Sequence, residues 1–315
     1  MSNIIATRDA YGKALAKLGE SHPEIIVLDA DLSGATKSSQ FAKAFPERFL
    51  NMGIAEANMV GVAAGLASCG KKPFANSFAM FTAGRAYEQI RNSVCYPRLN
   101  VKIVGSHGGL SVGEDGATHQ CIEDFALMRA IPQMTVLCPC DGHEMEAAVS
   151  ALVDYDGPVY MRLGRLGVES VTDSIPNYKF ELGKGAELLK GSDVTIVAVG
   201  LMVQEALKAA DILREKNISA RVIDMHTIKP LDKDILLNAA KETGALVTSE
   251  EHNIIGGLGS AVSEFLSENC PVPVIKHGVN DSFGRSGKAQ AVLKAYGLTA
   301  EVIAQKAAEA VSKKK

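Results

Sequence analysis

Residues 101–120 are VKIVGSHGGLSVGEDGATHQ, a short apolar run followed by a glycine-rich loop that carries two histidines and an acidic pair. The run is β-branched and continuous rather than alternating, which is typical of a strand buried on both faces of a parallel sheet. The loop then lies at the carboxyl end of that strand, where open α/β sheets bind their ligands. This junction therefore predicts both the fold class and the position of a candidate site.

The rest of the chain repeats this alternation of short apolar runs and longer amphipathic ones. Strands are predicted at residues 25–30, 72–76, 101–105, 134–138 and 158–162, with helices at 58–68, 84–94, 122–130 and 143–153. A second series has strands at 194–200, 220–225, 245–250 and 272–277, with helices at 204–216, 232–241, 260–268 and from residue 299. The alternation predicts an α/β fold made of two doubly wound domains with mainly parallel sheets.

A polar stretch separates the two series. Residues 168–185, VESVTDSIPNYKFELGKG, contain one proline and two glycines, a composition typical of a linker. We therefore expect a first domain over residues 1–170, a linker over 171–187 and a second domain over 188–315.

The composition is that of an ordinary globular protein. The 315 residues are 47% hydrophobic and 22% charged, with a formal net charge of −3 and no basic block, which argues against nucleic-acid binding. The longest apolar stretch, residues 194–203, is about half of the roughly 20 residues that a bilayer span needs. The N-terminus lacks the pattern of a signal peptide. We expect a cytoplasmic protein that binds neither nucleic acid nor membrane.

The six cysteines include one cluster with a possible metal-binding pattern. Zinc-binding side chains occur at His119, Cys121, Cys138, Cys140 and His143. However, two cysteines separated by one residue at the end of a strand cannot easily aim both sulfurs at one ion. We expect reduced cysteines that pack in the core, and no metal site on this chain.

The loop of residues 105–120 holds four ionisable side chains, His107, Glu114, Asp115 and His119. Glycines let the backbone approach a ligand closely, and imidazoles exchange protons near pH 7. The alternative is that both histidines lie in a flexible surface turn. The concentration of ionisable groups favours a catalytic or binding role.

Two further segments have the chemistry of a binding site for a heteroaromatic ring. Glu56 is the only carboxylate in LNMGIAEANMVGVAAGLA, residues 50–67. A charged glutamate is costly to bury, whereas a protonated carboxyl donates a hydrogen bond to a ring nitrogen. The alternative is a solvent-facing glutamate at a helix start. Phe74, Phe78 and Phe81 in FANSFAMF either all pack in the core, or Phe78 and Phe81 instead present a face for ring stacking.

These segments resemble the transketolases, which depend on thiamine diphosphate. GEDGATHQ at residues 113–120 is similar to the family's GEDGPTHQ, and residues 50–67 resemble its glutamate-bearing helix. IDMHTIKPLD at 223–232 and SEEHNIIGGLGSAV at 249–262 resemble the C-terminal domain that transketolases share with 1-deoxyxylulose-5-phosphate synthases. The resemblance covers essentially the whole chain. It implies transfer of a two-carbon ketol unit from a ketose phosphate to an aldose phosphate, in the pentose phosphate pathway.

The resemblance also implies roles for individual residues. The catalytic residues would be Glu56, which contacts the aminopyrimidine ring, and His107 and His119, which exchange protons with the substrate. The thiamine diphosphate pocket would be formed by Asp31, Leu32, Glu56, Phe78 and Phe81. The substrate would be bound by Arg8, His107, Asp115, His119 and Arg165, with Arg162 as an alternative to Arg165 because MRLGR aligns either way. The family's phosphate-site serine has no clean match, and Ser33, Thr36 or Ser38 would replace it.

A complete transketolase also has an N-terminal domain with a GDG…N motif for metal and diphosphate, and this sequence contains no such motif. The resemblance is therefore to the C-terminal subunit of a split transketolase. It implies a separate N-terminal subunit that carries GDG…N and the Mg²⁺ ligands, an α2β2 assembly, and sugar phosphates as substrates.

Three alternatives stay open: a 1-deoxyxylulose-5-phosphate synthase-like subunit, a 2-oxoacid dehydrogenase β-like subunit, and a non-catalytic scaffold subunit. The synthase usually has alanine at the position of Glu114, and the dehydrogenase lacks this loop pattern, so the loop favours transketolase. The presence of Glu56, His107, Asp115 and His119 together argues against a scaffold.

Overall fold

The structure is a computed structural model that describes residues 4–175 and 178–314; residues 1–3, 176–177 and 315 of the predicted domains and linker lie outside it. The strands are β1 (Ile4–Ala6), β2 (Ile25–Asp29), β3 (Phe49–Asn51), β4 (Lys72–Phe78), β5 (Lys102–Ser106), β6 (Thr135–Leu137), β7 (Val159–Leu163), β8 (Gly167–Glu169), β9 (Ala186–Leu189), β10 (Val194–Ala198), β11 (Ala220–Asp224), β12 (Thr227–Lys229), β13 (Leu246–Asn253) and β14 (Val274–Val279). The α-helices are α1 (Thr7–Leu18), α2 (Ser33–Thr36), α3 (Ser39–Ala44), α4 (Glu56–Ser68), α5 (Tyr87–Gln89), α6 (Asp124–Ala130), α7 (Gly142–Asp154), α8 (Met202–Glu215), α9 (Lys233–Thr243), α10 (Leu258–Asn269), α11 (Ala289–Ala295) and α12 (Ala300–Ser312).

The first sheet has seven strands in the order β12-β6-β7-β5-β4-β2-β3, and its pairings are parallel except that of β12 with β6. All five residues of β5, in the middle of the sheet, are buried, as its continuous apolar run predicts. Helices α1 and α7 pack on one face, and α4 and α6 pack on the other.

The second sheet has five strands in the order β14-β13-β10-β11-β9, parallel except for the edge strand β9. Helices α8 and α12 pack on one face, and α9 and α10 pack on the other. The prediction of an α/β fold with two doubly wound, mainly parallel sheets is confirmed. Within residues 4–175 and 178–314, no helix has the length and apolar character needed to cross a membrane.

One short strand connects the two sheets. β12 follows β11 of the second sheet but pairs with β6 of the first, and the Cys138 N–H donates to the His226 carbonyl at 2.8 Å. The Lys229 ammonium adds hydrogen bonds to the carbonyls of Arg129 and Ile131 at 2.8 and 2.6 Å. The sequence analysis predicted no strand here, because a three-residue edge strand has no periodicity of its own.

The helix predicted at residues 84–94 differs from the observed structure. Met80–Arg85 and Ile90–Cys95 are π-helical, and they flank the single turn of α5. A π-helical turn is wider than an α-helical one and is frequent at functional sites. The first of these turns carries Phe81 and ends at Arg85, and both side chains face the candidate site described below.

The junction between the two halves buries a group of acidic and thiol side chains. Cys140, Glu144 and Asp224 are buried, with their ligand-type atoms within 4.8 Å of one another. Glu144 accepts hydrogen bonds from the Cys140 N–H at 2.7 Å and from the Tyr178 hydroxyl. Neither carboxylate oxygen of Asp224 has a donor among the described residues, and burial together with Glu144 raises the pKa of Asp224 well above its ordinary value. A protonated Asp224 that donates to Glu144 satisfies both groups.

Within the described part of the chain, this is the only group of three or more potential metal ligands that lie together. Of the five residues considered as zinc ligands, the group contains Cys140 alone. His143 instead places Nδ1 3.0 Å from the Thr172 hydroxyl. All six cysteines are free thiols. The absence of a metal site stays a prediction.

We predict that Asp224→Asn stabilises the chain increasingly as the pH rises. The folded wild type keeps a proton on Asp224 that the unfolded chain releases above about pH 4, so its free energy of unfolding falls with rising pH. Asparagine keeps a donor towards Glu144 and has no proton to release. Thermal unfolding at pH 5 and pH 8 measures the widening gap, and Asp224→Ala, which removes the donor, should be less stable than the asparagine variant at both. If the wild type instead binds one zinc ion per chain, and Asp224→Asn loses both this ion and stability, the shared proton is contradicted.

Candidate active site

The predicted site lies at the carboxyl ends of β2, β4 and β5, three neighbouring strands of the first sheet. Asp31 and Leu32 follow β2, Phe78 ends β4 and is followed by Phe81, and His107 follows β5. Because the strands are parallel, their carboxyl ends meet at one edge of the sheet, where α/β folds bind ligands.

Two phenylalanines and two histidines form a cluster of rings at this edge. Phe78 stacks on His107 with the ring centroids 4.1 Å apart, and its ring lies 5.9 Å from that of Phe81. His119 packs edge-on against Phe81 at 5.3 Å and against Phe78 at 6.0 Å. Phe74, by contrast, is fully buried in the core under the sheet. The structure therefore brings both histidines of the loop to the aromatic pair.

His107 is held in an unusual conformation and a defined protonation state. Its φ of 59° is left-handed, which costs about 1–3 kcal/mol in a residue other than glycine. Its Nδ1 lies 2.8 Å from the Ser106 hydroxyl, and its Nε2 lies 3.3 Å from Arg8 Nη1. Burial, together with the charges of Arg8 and Arg165, lowers the pKa of His107 to about 3. The ring is therefore neutral at pH 7. Since Arg8 only donates, Nε2 is the acceptor and Nδ1 carries the proton.

Glu56 is enclosed rather than solvent-facing. It begins α4, and its side chain is only 1% exposed, so the solvent-facing alternative is wrong. Its Oε1 accepts from the Ser77 hydroxyl at 3.3 Å, and its Oε2 accepts from Arg85 Nη1 at 2.7 Å. The Arg85 guanidinium also lies over the Phe81 ring, 4.7 Å from its centroid. Sequence reasoning missed Ser77 and Arg85; the available signal was an arginine within the small-residue stretch TAGRA, directly after the aromatic segment.

A continuous path of contacts joins most of the predicted residues. It runs through Arg8, His107, Phe78, Phe81, Arg85 and Glu56. Asp31 and Asp115 are exposed, and no contact among the described residues joins either side chain to this path. Asp31 accepts a hydrogen bond from the Asn51 amide at 3.0 Å, and the Leu32 N–H donates to Asp29 at 2.6 Å.

The two arginines predicted to bind phosphate lie on the His107 side. Arg8 Nη1 donates to the Ala35 carbonyl at 3.1 Å. Arg165 donates to the Val112 carbonyl and pairs with the exposed Glu114 at 2.9 Å. Burial, opposed by Asp9 and assisted by Arg165, lowers the pKa of Arg8. Two cations close enough to repel each other form a site suited to a dianionic group.

Arg162, the alternative to Arg165, lies in the interior. Its Nε donates to Asp124 at 2.8 Å, its guanidinium stacks 3.8 Å from the Phe125 centroid, and Nη1 donates to the Glu251 carbonyl at 2.9 Å. Although burial opposes ionisation, Arg162 lowers the pKa of the fully buried Asp124. All of the guanidinium is engaged in protein contacts, so Arg162 is not available to a substrate and the alternative is wrong.

The three replacements considered for the family serine differ in their accessibility. Thr36 and Ser38 are fully buried, and their hydroxyls donate to the Asp29 carboxylate at 2.7 and 2.8 Å. They fix the loop after β2 instead of facing a ligand. Ser33 is partly exposed, and it is the one of the three that a ligand can reach.

The second half of the molecule holds the histidine-bearing loop in place. The Ser111 N–H donates to the Glu251 carboxylate. The Gln120 amide donates to the carbonyls of Leu110 and Arg285 at 3.2 and 3.0 Å. Burial raises the pKa of Glu251 to about 7, because its hydrogen bond and the charge of Arg162 compensate only partly. None of these anchors was predicted; the partners Glu251 and Arg285 lie 140 and 165 residues away from Ser111 and Gln120 in the sequence.

Two known protein families match the chain in succession. Residues 3–169 match the family described as transketolase, pyrimidine binding domain, and residues 183–303 match transketolase, C-terminal domain. The chain belongs to the transketolase family. The family consists of transferases that depend on thiamine diphosphate, and the resemblance noted in the sequence is confirmed.

Relatives of similar length include separate transketolase subunits and sections. A putative transketolase C-terminal section from Methanocaldococcus jannaschii is 50% identical over 307 residues, 97% of this chain and 96% of the relative. A 6-deoxy-6-sulfo-D-fructose transketolase subunit from a Clostridium species is 45% identical over 307 residues, 98% of this chain and 95% of the relative. A solved structure described as a split gene transketolase, inactive beta4 tetramer, superposes with a TM-score of 0.92 at 56% identity, covering 99% of this chain and 100% of that one. The prediction of a split transketolase is therefore confirmed.

We predict that Arg162 and Arg165 affect stability very differently. Arg162→Met leaves the buried Asp124 carboxylate unpaired and should lower the free energy of unfolding by about 3 kcal/mol or more. Arg165→Met is the matched control, because its pair with Glu114 is exposed and should contribute less than about 1 kcal/mol. Chemical denaturation of the two variants measures the difference. Equal losses would show that the Arg162–Asp124 pair does not hold the loop.

Proposed function

We propose that this chain forms half of a transketolase active site, which transfers a two-carbon ketol unit from a ketose phosphate to an aldose phosphate, and that a separate N-terminal subunit forms the other half. The observation that carries the proposal is the setting of Glu56. This buried carboxylate is held by Ser77 and Arg85 beside the rings of Phe78 and Phe81. A fixed carboxylate next to aromatic rings can bind a flat heteroaromatic ring by its edge and its face.

The residues of this site fit the pyrimidine end of thiamine diphosphate. Glu56 offers a carboxylate oxygen to a ring nitrogen, Phe78 and Phe81 offer aromatic surface, and Asp31 and Leu32 lie at the rim. When bound, thiamine diphosphate supplies the electron sink for cleavage of the carbon–carbon bond in the ketose donor. The part played by Glu56 is to hold or return a proton at the ring nitrogen, which requires a carboxyl group in a fixed position.

The remaining residues bind the sugar phosphate. His107 is neutral, and its Nε2 can accept a hydrogen bond from the substrate only when Arg8 moves aside. His107 therefore orients hydroxyl groups of the substrate rather than neutralising charge. His119 lies partly exposed beside the rings, where it takes protons from the substrate or gives protons to it. Asp115, exposed in the same loop, accepts a hydrogen bond from a hydroxyl group of the ketose donor. Arg8 and Arg165 together bind the phosphate.

We assign the diphosphate and Mg²⁺ to the partner subunit with the GDG…N motif. The only group of potential metal ligands in the described residues is enclosed at the junction of the two halves, away from the site. We propose an α2β2 assembly in the cytoplasm, in which each site combines both kinds of subunit. The Clostridium relative is named for a sulfonated sugar. Anion-terminated sugars are therefore the substrate class, and xylulose 5-phosphate with ribose 5-phosphate, substrates of the pentose phosphate pathway, is the pair we propose to test first.

We predict that Glu56→Gln lowers kcat of the assembled enzyme by at least about 100-fold, because an amide cannot accept and return the proton. The measurement is steady-state turnover of xylulose 5-phosphate and ribose 5-phosphate with the partner subunit, thiamine diphosphate and Mg²⁺. Glu146→Gln is the control, since Glu146 is an exposed glutamate on α7 and is not one of the site residues. A near-normal kcat in Glu56→Gln would reject the role of this residue.

We predict that the chain alone binds thiamine diphosphate weakly, because the proposal assigns the charged diphosphate and its cation to the partner subunit. Calorimetry with Mg²⁺ should show binding only after the partner subunit is added, and activity should appear at the same point. Tight binding by the isolated chain would contradict the division of the site between two subunits.

A further inference from the structure

The structure gives Glu56 a partner that nothing in the sequence singled out. Arg85 ends the π-helical turn Met80–Arg85, and its Nη1 lies 2.7 Å from Glu56 Oε2. The Arg85 side chain is 48% exposed, whereas that of Glu56 is 1% exposed. Arg85 therefore reaches from the surface to a carboxylate that is otherwise enclosed.

Arg85 supplies the full positive charge beside Glu56. In residues 4–175 and 178–314, Glu56 forms an ion pair with Arg85 and with no other cation. The Ser77 hydroxyl and the N-terminus of α4 provide only partial positive charges. A carboxylate buried without a counter-charge is strongly unfavourable, so the pair with Arg85 offsets the cost of enclosing this group.

The same arginine fixes the direction of the carboxylate. Ser77 binds Oε1 and Arg85 binds Oε2, so the group is held from two sides. The guanidinium is itself supported by the Phe81 ring at 4.7 Å, a cation–π contact for which a planar arginine is better suited than a lysine. Each carboxylate oxygen has two lone pairs, so both oxygens keep capacity for one further donor.

We propose that Arg85 is the positioning residue of Glu56: it offsets the cost of the buried charge and fixes the direction of the carboxylate that meets the ring nitrogen of the cofactor. The ligand in this statement rests on the proposed function. The coupling between Arg85 and Glu56 is a property of the chain by itself, so the two can be tested separately.

The first test measures thermal unfolding of the full chain without partner or cofactor. Arg85→Met should lower Tm by about 5 °C, because it leaves the buried charge unpaired. In a Glu56→Gln background the same change should lower Tm by less than about 2 °C. Arg91→Met is the matched control, because Arg91 lies in the neighbouring π-helical turn and contacts the exposed Asn92. Equal losses in both backgrounds overturn the proposal.

The second test uses the complex with the partner subunit, thiamine diphosphate and Mg²⁺. Arg85→Met should lower kcat by about tenfold or more while the donor KM changes by less than about twofold, and Arg85→Lys should restore part of kcat. If Arg85→Met instead binds thiamine diphosphate more tightly with kcat unchanged, Arg85 only occupies the site and the proposal is overturned. If Glu56→Gln keeps full activity, the proposed function fails, whereas the coupling measured in the chain alone is unaffected.

Discussion

A single buried guanidinium, that of Arg162, connects the sheet, the histidine-bearing loop and the second half of the molecule. From β7 it pairs with Asp124 at the start of α6 and donates to the backbone carbonyls of Cys121 and Glu251. The Glu251 side chain in turn binds the Ser111 N–H. The loop from residue 107 to residue 121 is thus fixed at its middle and its end. A buried charge is tolerated only when it is paired and hydrogen-bonded, and Arg162 meets this requirement through contacts that also hold the loop.

The fixed loop separates two kinds of chemistry within one site. On one side, Arg8 and Arg165 create a positive field around His107, and burial together with that field keeps its ring neutral. On the other side, Glu56 is an enclosed carboxylate whose charge is balanced by Arg85. Phe78 and Phe81 lie between them and link the two sides through stacked rings. The groups proposed for anion binding and for proton transfer at the ring nitrogen therefore lie on opposite sides of the Phe78–Phe81 pair.

Both halves of the chain contribute residues to the junction between them, so the site depends on the two halves together. β12 completes the edge of the first sheet with residues from the second half of the chain. Asp224, Glu144 and Cys140 form a buried group of two acids and a thiol at the same junction, with Asp224 from the second half and the other two from the first. The domain limits at residues 170 and 188 stay a prediction. The strand β12 follows these limits in the sequence but pairs with β6, which precedes them.

Local sequence by itself determined the alternation of strands and helices, and with it the fold class, because apolar periodicity acts over ten residues or fewer. It also determined which loop carries the ionisable residues, because the loop follows a recognisable buried strand. Only the tertiary structure decided which side chains are partners: Arg85 with Glu56, Asp124 with Arg162, Glu251 with Ser111, and Asp29 with Thr36 and Ser38. Asp29 and its two partners lie within one short segment, whereas the other pairs depend on strands that meet across the sheet and on contacts between distant segments. The free energy of a buried charge is set by its neighbours in space rather than in sequence.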